Sequence, residues 1–238
     1  MDIDGSRILV TGGAGLVGSH VIDQLIAENP KDIICFDKNP CWSRSLEIDY
    51  GKVKVIGGDL RSVDDIAEAL KGIDFVFHTA ALLTRESNED LRSALGVNIC
   101  GTFNLLEASI ASGVKKIIYS SSVSIYGDPL INPVREEHGF NVVSMYGACK
   151  ASGELMLKVF KRLKGLDYVA LRYASVYGPR NHYRADVNRC IPETFDRIER
   201  GLPPVIYGDG SQAYEFVYVE EIKKGVDIYI KLIQDLSF

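Results

Sequence analysis

The sequence predicts an α/β fold built on a doubly wound parallel sheet, and three observations support this. Short apolar segments alternate with longer segments of helical periodicity over most of the chain. Such alternation is typical of parallel strands joined by right-handed helical crossovers. A glycine-rich turn separates the first strand, which begins near Ile8, from the first helix. The 238 residues, 46% of them hydrophobic, are enough for one large core.

The glycine-rich turn has the spacing G-x-x-G-x-x-G, formed by Gly12, Gly15 and Gly18. The first glycine allows the sharp turn, the second allows a diphosphate to approach the backbone, and the third allows the helix to pack closely on the sheet. The N–H groups of Leu16 and Val17 open this helix at the positive end of its dipole, which favours an anion. A glycine-rich turn also occurs in ordinary connections, but the flanking strand and helix favour a dinucleotide site in a Rossmann-like domain.

The second strand ends in Asp37, nineteen residues after Gly18. A carboxylate at this place accepts hydrogen bonds from the ribose hydroxyls of an adenosine and repels a 2′-phosphate. The adjacent cation is Lys38, and no arginine is adjacent in sequence. The pattern therefore predicts NAD rather than NADP as the cofactor.

The next two strands end in residues suited to the same ligand. The third leads into Asp59 and Leu60, where the carboxylate would accept from the adenine amino group and the leucine would lie against the ring. Asp59 is equally well placed to cap the helix that starts near Ser62. The fourth strand leads to Ala80 and Ala81, whose small side chains leave room for a cofactor.

Few side chains suited to catalysis or ligand binding lie at the end of the fourth strand and in the region that follows it. His78 ends that strand and is expected to be a packed residue rather than a catalyst. Residues 82–88 are predicted to form a loop and residues 91–112 a helix. Asn98 lies among apolar neighbours in this helix. A buried amide needs partners, so we expect it to bond to backbone near the site and to contact the ribose.

The catalytic prediction rests on a serine run and a Y-x-x-x-K pattern. The fifth strand ends in Ser120, Ser121 and Ser122, and a helix over 144–164 carries Tyr146 and Lys150. Residues four apart share one helix face. A phenol ionises near pH ~10, and a neighbouring ammonium lowers that value.

These groups fit proton transfer during oxidation of an alcohol. Tyr146 would accept the proton of a substrate hydroxyl while hydride leaves the carbon, and Ser122 would bind the same oxygen. Lys150 would also hold the nicotinamide ribose. The plain alternative for this spacing is an exposed i,i+4 pair on a helix surface, which the upstream glycine turn and serine run make less favourable.

The character of the chain changes at residue 177. Residues 1–176 are predicted to form the NAD-binding Rossmann domain, and residues 177–238 a partial substrate-binding lobe that is not an independent domain. Within this lobe the sequence predicts a helix over 187–199 and short strands over 205–207 and 215–219.

Composition excludes several classes of protein. A net charge of -5 argues against a nucleic-acid surface. Five scattered cysteines without a C-x-x-C pattern favour a reducing cytoplasm. We expect no secretory signal, because the start of the chain lacks an apolar run. We expect no membrane span, because no apolar stretch is long enough to cross a bilayer. We expect no metal site, because no two histidines lie at the spacing of metal ligands.

Taken together, these motifs resemble the extended short-chain dehydrogenase/reductases, specifically the NAD-dependent epimerase/dehydratase family and its UDP-glucose 4-epimerase type. The matching segments span about residues 8–222. The resemblance implies a catalytic triad of Ser122, Tyr146 and Lys150, bound NAD, a nucleotide-sugar under the C-terminal lobe, and a homodimer built from two helices of each subunit. Members of the family usually continue for dozens of residues that complete this lobe, so the resemblance implies either a partial chain or an unusually open pocket.

The expected ligand-binding residues form two sets. The cofactor set is Gly12, Gly15, Leu16, Val17, Gly18, Asp37, Lys38, Asp59, Leu60, Ala80, Ala81, Asn98, Ser120, Tyr146, Lys150 and Tyr173. The substrate set is Thr84, Ser122, Ser175, Arg180, Arg189 and Tyr214.

Departures from the family pattern bear on the reaction. Dehydratases have an Asp-Glu pair directly after the catalytic hydroxyl, where this chain has Val123 and Ser124. The resemblance therefore implies 4-epimerisation of a UDP-sugar through a transient 4-keto intermediate.

Ser175 replaces an asparagine and Tyr214 an arginine that usually contact the diphosphate. Arg180, Arg184 or Arg189 would have to compensate. Two alternatives stay open: a net NAD-dependent dehydrogenase or reductase acting on a small alcohol or ketone, and a non-catalytic NAD-binding protein.

Overall fold

A six-stranded parallel sheet forms the centre of the molecule, as the computed structural model shows for residues 3–39, 51–181, 190–206, 208–211, 213–222 and 224–225. The strand order is β3-β2-β1-β4-β5-β6, with every neighbouring pair parallel. The strands are β1 Arg7–Thr11, β2 Asp32–Asp37, β3 Val53–Gly57, β4 Phe75–His78, β5 Lys116–Ser122 and β6 Asp167–Tyr173. The order reverses between β1 and β4, which opens a crevice at the carboxyl ends of these strands. The predicted doubly wound fold is confirmed.

Helices cover both faces of this sheet. The helices among the described residues are α1 Leu16–Ala27, α2 Val63–Ala69, α3 Thr84–Glu89, α4 Leu91–Ala94, α5 Gly101–Ser112, α6 Met145–Lys164 and α7 Cys190–Glu199, with a π-helical turn Leu95–Cys100 between α4 and α5. Those that pack on the sheet are α1 on one face and α2, α5 and α6 on the other. Two short strands, β7 Ser175–Tyr177 and β8 Phe216–Tyr218, form a separate parallel pair. The predicted boundary after residue 176 therefore falls inside β7, and the division into two parts stays a prediction.

The core consists of two apolar layers, one on each face of the sheet. Ile8 and Val10 pack with α1, whereas Leu9 packs on the other face with α2, α5 and α6. Alternate strand residues point to opposite faces. Because both faces are buried, the central strands are apolar at nearly every position.

Capping residues set where α6 begins and ends. The Ser144 side chain accepts a hydrogen bond from the Gly147 N–H at 3.0 Å, and Gly165 ends the helix with φ +74°. The N-terminal part of α6 lies next to the carboxyl end of β5, where Lys150 donates to the carbonyl oxygen of Ser120.

Two local predictions are wrong. The segment predicted as a loop contains α3, because the Glu86 side chain accepts from the Leu83 N–H at 3.2 Å and stabilises a short polar helix without apolar periodicity. Val205 and Ile206 form no strand and are exposed. They lack a partner strand among the described residues, and an apolar run alone does not supply one.

The helical run Leu91–Ser112 also departs from expectation. Its 22 residues and mean hydropathy of 1.2 are enough, by length and composition, to span a bilayer. Leu105 and Leu106 of this run are buried in the core beneath α2 and α6. A core helix passes the same composition test, so the packing explains the apolar character.

Candidate functional site

A cleft crosses the carboxyl ends of the strands at the switch point between β1 and β4. It is lined by sixteen of the predicted residues: Gly12, Gly15, Leu16, Val17, Gly18, Asp37, Lys38, Asp59, Leu60, Ala80, Ala81, Ser120, Ser122, Tyr146, Lys150 and Tyr173. Strand ends and the first turns of α1 and α6 supply nearly all of them. The cleft thus brings the glycine turn, the acid of β2 and the Y-x-x-x-K pair into one space.

The glycine turn leaves no room for side chains. Gly12 has φ +67°, and a Cβ there would lie 2.7 Å from the backbone of Ala80. A Cβ on Gly18 would lie 2.3 Å from the carbonyl oxygen of Gly12. No side chain caps the start of α1 at Gly15. The turn is therefore a backbone cradle at a helix N-terminus, which suits a diphosphate.

The carboxylate of Asp37 is held next to this cradle. Its oxygens accept hydrogen bonds from the Ala14 N–H at 3.1 Å and the Asn39 N–H at 2.9 Å. The side chain lines the cleft where a ribose would lie against the end of β2.

The capping alternative for Asp59 is wrong, because Ser62 caps α2 by accepting from the Asp65 N–H. Asp59 instead accepts from the guanidinium of Arg61, and this contact holds the pKa of the Asp59 carboxyl well below its ordinary value. Its contact with adenine stays a prediction.

The three predicted catalytic residues meet at the other end of the cleft. The Lys150 ammonium donates to the carbonyl oxygen of Ser120 at 2.6 Å and lies 5.6 Å from the ring centroid of Tyr146. The side chains of Tyr146 and Ser122 both line this end of the cleft. Ser122 also accepts from the Ser124 N–H at 3.1 Å.

Burial sets the proton affinities of this group. It raises the pKa of Tyr146 to about 12, although the neighbouring Ser122 hydroxyl opposes the shift. It lowers the pKa of Lys150 to about 8. The expectation of a lowered phenol pKa is therefore wrong in its net direction, because burial is the largest cause of the shift.

A buried ion pair behind Ser122 was missed from the sequence. Glu154 lies one helical turn after Lys150, and its carboxylate accepts from the Ser121 hydroxyl at 2.5 Å. The same carboxylate accepts two hydrogen bonds from Arg172 of β6, at 3.0 and 2.8 Å. Arg172 also donates to the Tyr126 hydroxyl at 2.7 Å. The pair joins α6, β5, β6 and the segment after Ser122.

His78 is packed, as predicted. It is 1% exposed, and its ring nitrogens lie 2.7 Å from the Thr11 hydroxyl and 3.0 Å from the Thr102 hydroxyl. Asn98 bonds to backbone as expected, accepting from the Leu82 N–H at 2.8 Å and donating to the Leu82 carbonyl oxygen at 2.9 Å. Its contact with the ribose stays a prediction, because Asn98 is 4% exposed and does not line the cleft.

Most of the predicted substrate-binding residues lie outside the cleft, unlike the predicted cofactor-binding residues. Thr84, Ser175, Arg180 and Tyr214 do not line the cleft. Arg180 has φ +64° and donates to Asp23 of α1 at 2.7 Å, so its charge is already paired. Arg184 and Arg189 lie outside the described residues.

Asn181, which the sequence did not single out, lines the cleft. Its Nδ2 is buried and has no hydrogen-bond partner. A donor without a partner in a ligand cleft, together with the glycine cradle, fits a dinucleotide. Among the described residues, no group of three or more His, Cys, Asp or Glu side chains has an arrangement that would hold a metal ion.

Known proteins with similar sequences belong to one family. The model of the NAD dependent epimerase/dehydratase family matches residues 8–236. A putative UDP-glucose 4-epimerase of Methanocaldococcus jannaschii is 38% identical over 220 residues, covering 91% of this chain and 71% of its own length. A UDP-glucose 4-epimerase of Mycolicibacterium smegmatis is 31% identical over 236 residues, covering 94% of this chain and 72% of its own.

Solved structures give the same result. The UDP-N-acetylglucosamine 4-epimerase of Methanobrevibacter ruminantium, in complex with UDP-N-acetylmuramic acid, has a TM-score of 0.87 at 37% identity and covers 96% of this chain and 74% of its own. The UDP-glucose 4-epimerase of Thermus thermophilus, in complex with NAD, has a TM-score of 0.84 at 31% identity and covers 94% and 74%.

Proposed function

Because the chain belongs to the NAD-dependent epimerase/dehydratase family, we propose that it is a nucleotide-sugar epimerase that inverts C4 of a UDP-sugar. The observation that carries this proposal is the meeting of Ser122, Tyr146 and Lys150 in the cleft that contains the glycine cradle. Relatives of this chain that are UDP-sugar 4-epimerases support the choice of reaction and of substrate class.

The cleft residues have separate roles in holding NAD, which accepts and returns a hydride when bound. The glycine cradle and the first turn of α1 would hold the diphosphate, and Asp37 the adenosine ribose. Lys150 would hold the nicotinamide ribose, and Asn181 supplies a further donor.

The chain's own part in the reaction is to move one proton and hold one oxygen. Tyr146 takes the proton of the sugar hydroxyl when C4 is oxidised. It returns the proton to the same oxygen after the keto sugar has reoriented in the site. Ser122 donates to that oxygen and steadies its developing charge. Because burial raises the pKa of Tyr146 to about 12, the phenol needs positive charge beside it, and the ammonium of Lys150 supplies part of it.

The residues after Ser122 favour epimerisation over dehydration. Elimination of water from a sugar needs an acid and a base beside the catalytic hydroxyl. The chain has Val123 and Ser124 at these positions, and Val123 is 38% exposed. Neither side chain exchanges protons near neutral pH.

The proposal is tested by incubating the purified protein with UDP-glucose, UDP-galactose or UDP-N-acetylglucosamine without adding NAD. We expect interconversion with the 4-epimer, followed by proton NMR, and no accumulation of NADH. Stoichiometric NADH would instead establish a net dehydrogenase. Absence of turnover on every nucleotide-sugar would point to a non-catalytic NAD-binding protein.

Assembly and location are part of the same proposal. We place a homodimer contact on the outer face of α6, where Leu155, Val159 and Leu163 are 54%, 51% and 69% exposed. Phe103 of α5 extends this surface through an edge contact with Phe160 at 5.7 Å between ring centroids.

The proposed location is a reducing cytoplasm, which the free thiols of Cys35 and Cys149 support. The net negative charge supports an absence of nucleic-acid partners.

A further inference from the structure

Four charged residues lie together at the adenosine end of the cleft. Asp37 ends β2 and Lys38 follows it, and Asp59 and Arg61 follow β3. These two strands are parallel neighbours, with Asp37 opposite Gly57. The carboxyl ends of neighbouring strands lie about 4.8 Å apart, so the two pairs of side chains share one region.

Asp59 engages both cations of this group. Arg61 donates to its carboxylate from Nη2 at 2.6 Å and from Nε at 3.0 and 3.1 Å. The ammonium of Lys38 lies 3.5 Å from the same carboxylate. The backbone N–H of Asp59 donates to the carboxylate of Asp65 at 2.9 Å. This hydrogen bond fixes the backbone position of Asp59.

The pairing leaves the region without uncompensated positive charge. Asp37 and Asp59 formally balance Lys38 and Arg61. Lys38 is 64% and Arg61 47% exposed at the side chain, so both side chains have the freedom to reach an anion if Asp59 releases them. NADP differs from NAD by a 2′-phosphate, and sites that accept it place a cation beside the ribose.

We propose that Asp59 is a second determinant of the choice of NAD over NADP, acting by holding Lys38 and Arg61 away from the position of a 2′-phosphate. Asp37 repels that phosphate directly, and Asp59 removes the cations that would attract it. This inference rests on the proposed function only in requiring that a dinucleotide binds in this cleft, with its adenosine at the ends of β2 and β3.

The first test is Asp59→Asn, which keeps the shape of the side chain and one acceptor oxygen while removing the charge. Binding of NAD and of NADP to the full chain, freed of bound nucleotide by dialysis, is measured by titration calorimetry. We expect the affinity for NADP relative to NAD to rise ~10-fold, as for two released charges near a partly solvated phosphate. Asp64→Asn is the matched control, because it removes the same charge five residues away, at an exposed position in the first turn of α2. Its ratio should stay within about twofold of the parent.

The second test asks whether the cations cause the change. Adding Lys38→Met and Arg61→Met to Asp59→Asn should return the ratio to that of the parent. A gain in NADP affinity that survives without these cations overturns the proposal. An unchanged ratio in Asp59→Asn, with NAD still bound, also overturns it.

The same titrations separate this inference from the proposed function. Failure of the parent chain to bind either dinucleotide would defeat both. Dinucleotide binding with the expected change in ratio, but without epimerisation of any UDP-sugar, would defeat the proposed function alone.

Discussion

At the scale of single residues, the phenol of Tyr146 has the most specific role. It lies against Ser122 and Lys150 in the cleft, and Phe at this position keeps the ring but removes the proton carrier. We expect Tyr146→Phe to reduce epimerase turnover by at least ~10²-fold. The affinity for NAD should stay close to that of the parent, measured by titration calorimetry.

Tyr168→Phe is the matched control for this variant. Tyr168 lies on β6 with its ring 5.9 Å from the ammonium of Lys161, away from the cleft. Its turnover should equal that of the parent. Undiminished turnover in Tyr146→Phe would remove Tyr146 from its proposed role.

His78 is held as a neutral imidazole by a directed chain of hydrogen bonds. The Thr102 hydroxyl donates its one proton to the carbonyl oxygen of Asn98 at 2.7 Å, so Nε2 of His78 must donate to Thr102. The other nitrogen, Nδ1, therefore accepts from the Thr11 hydroxyl. Burial of this ring lowers the pKa of His78 from 6.5 to about 3.

This shift predicts a loss of stability in acid. Between about pH 6.5 and 3, the unfolded chain binds a proton at His78 that the folded chain does not, so the free energy of unfolding falls as pH falls. We expect His78→Gln to have an acid slope that is smaller by up to about 1.4 kcal/mol per pH unit. Urea denaturation between pH 7 and 5 measures it. Equal slopes in His78→Gln and the parent would contradict the prediction.

At the scale of elements, the contact between α1 and the glycine turn determines how the cofactor site is built. A Cβ on Gly18 would meet Gly12 O at 2.3 Å and Gly13 Cα at 2.8 Å, both backbone atoms that cannot rotate away. We expect Gly18→Ala to lower the free energy of unfolding by about 1–3 kcal/mol and to weaken NAD binding, because α1 must move off the sheet. Gly139→Ala, where a Cβ would meet nothing within 4 Å, should stay within about 0.5 kcal/mol of the parent. Chemical denaturation measures the free energy of unfolding of both variants. Equal values for Gly18→Ala and the parent would show that the turn tolerates a side chain.

The Arg172–Glu154 pair joins elements that are far apart in sequence. The side chains of Arg172 and Glu154 are only 23% and 10% exposed, so removing the carboxylate leaves a mostly buried guanidinium without its charged partner. We expect Glu154→Ala to cost about 3–5 kcal/mol of unfolding free energy, measured by urea denaturation. The exposed pair Arg85–Glu89 is the control, and Glu89→Ala should change stability by at most about 1 kcal/mol. A similar small cost in Glu154→Ala would show that water reaches Arg172.

At the scale of the whole molecule, the exposed apolar side chains of α6 predict association. A dimer would have twice the chain mass of 26.3 kDa, which light scattering coupled to gel filtration measures directly. We expect Leu155→Asp to give the monomer, because a carboxylate cannot be buried in an apolar contact without a partner. Lys158→Asp changes the charge on a polar position of the same helix and should leave a dimer. A monomeric parent chain would place the interface elsewhere or show that none forms.

The chain by itself determined the features that depend on neighbours in sequence. The glycine spacing, the apolar strands, the acid ending β2 and the Tyr146–Lys150 pair are all patterns within a few residues. Local geometry converts such patterns directly into a turn, a strand or a helix face. For this reason the doubly wound sheet and sixteen of the residues that line the cleft were predictable.

Only the tertiary structure decided which distant groups meet and which lose water. Arg172 reaches Glu154 across eighteen positions and Arg180 reaches Asp23 across 157, and no local pattern encodes those separations. The direction of the pKa shift at Tyr146 depends on burial that the whole fold creates. Pairing and desolvation are properties of the packed molecule, because they follow from what surrounds a group in space and not from what precedes it in the chain.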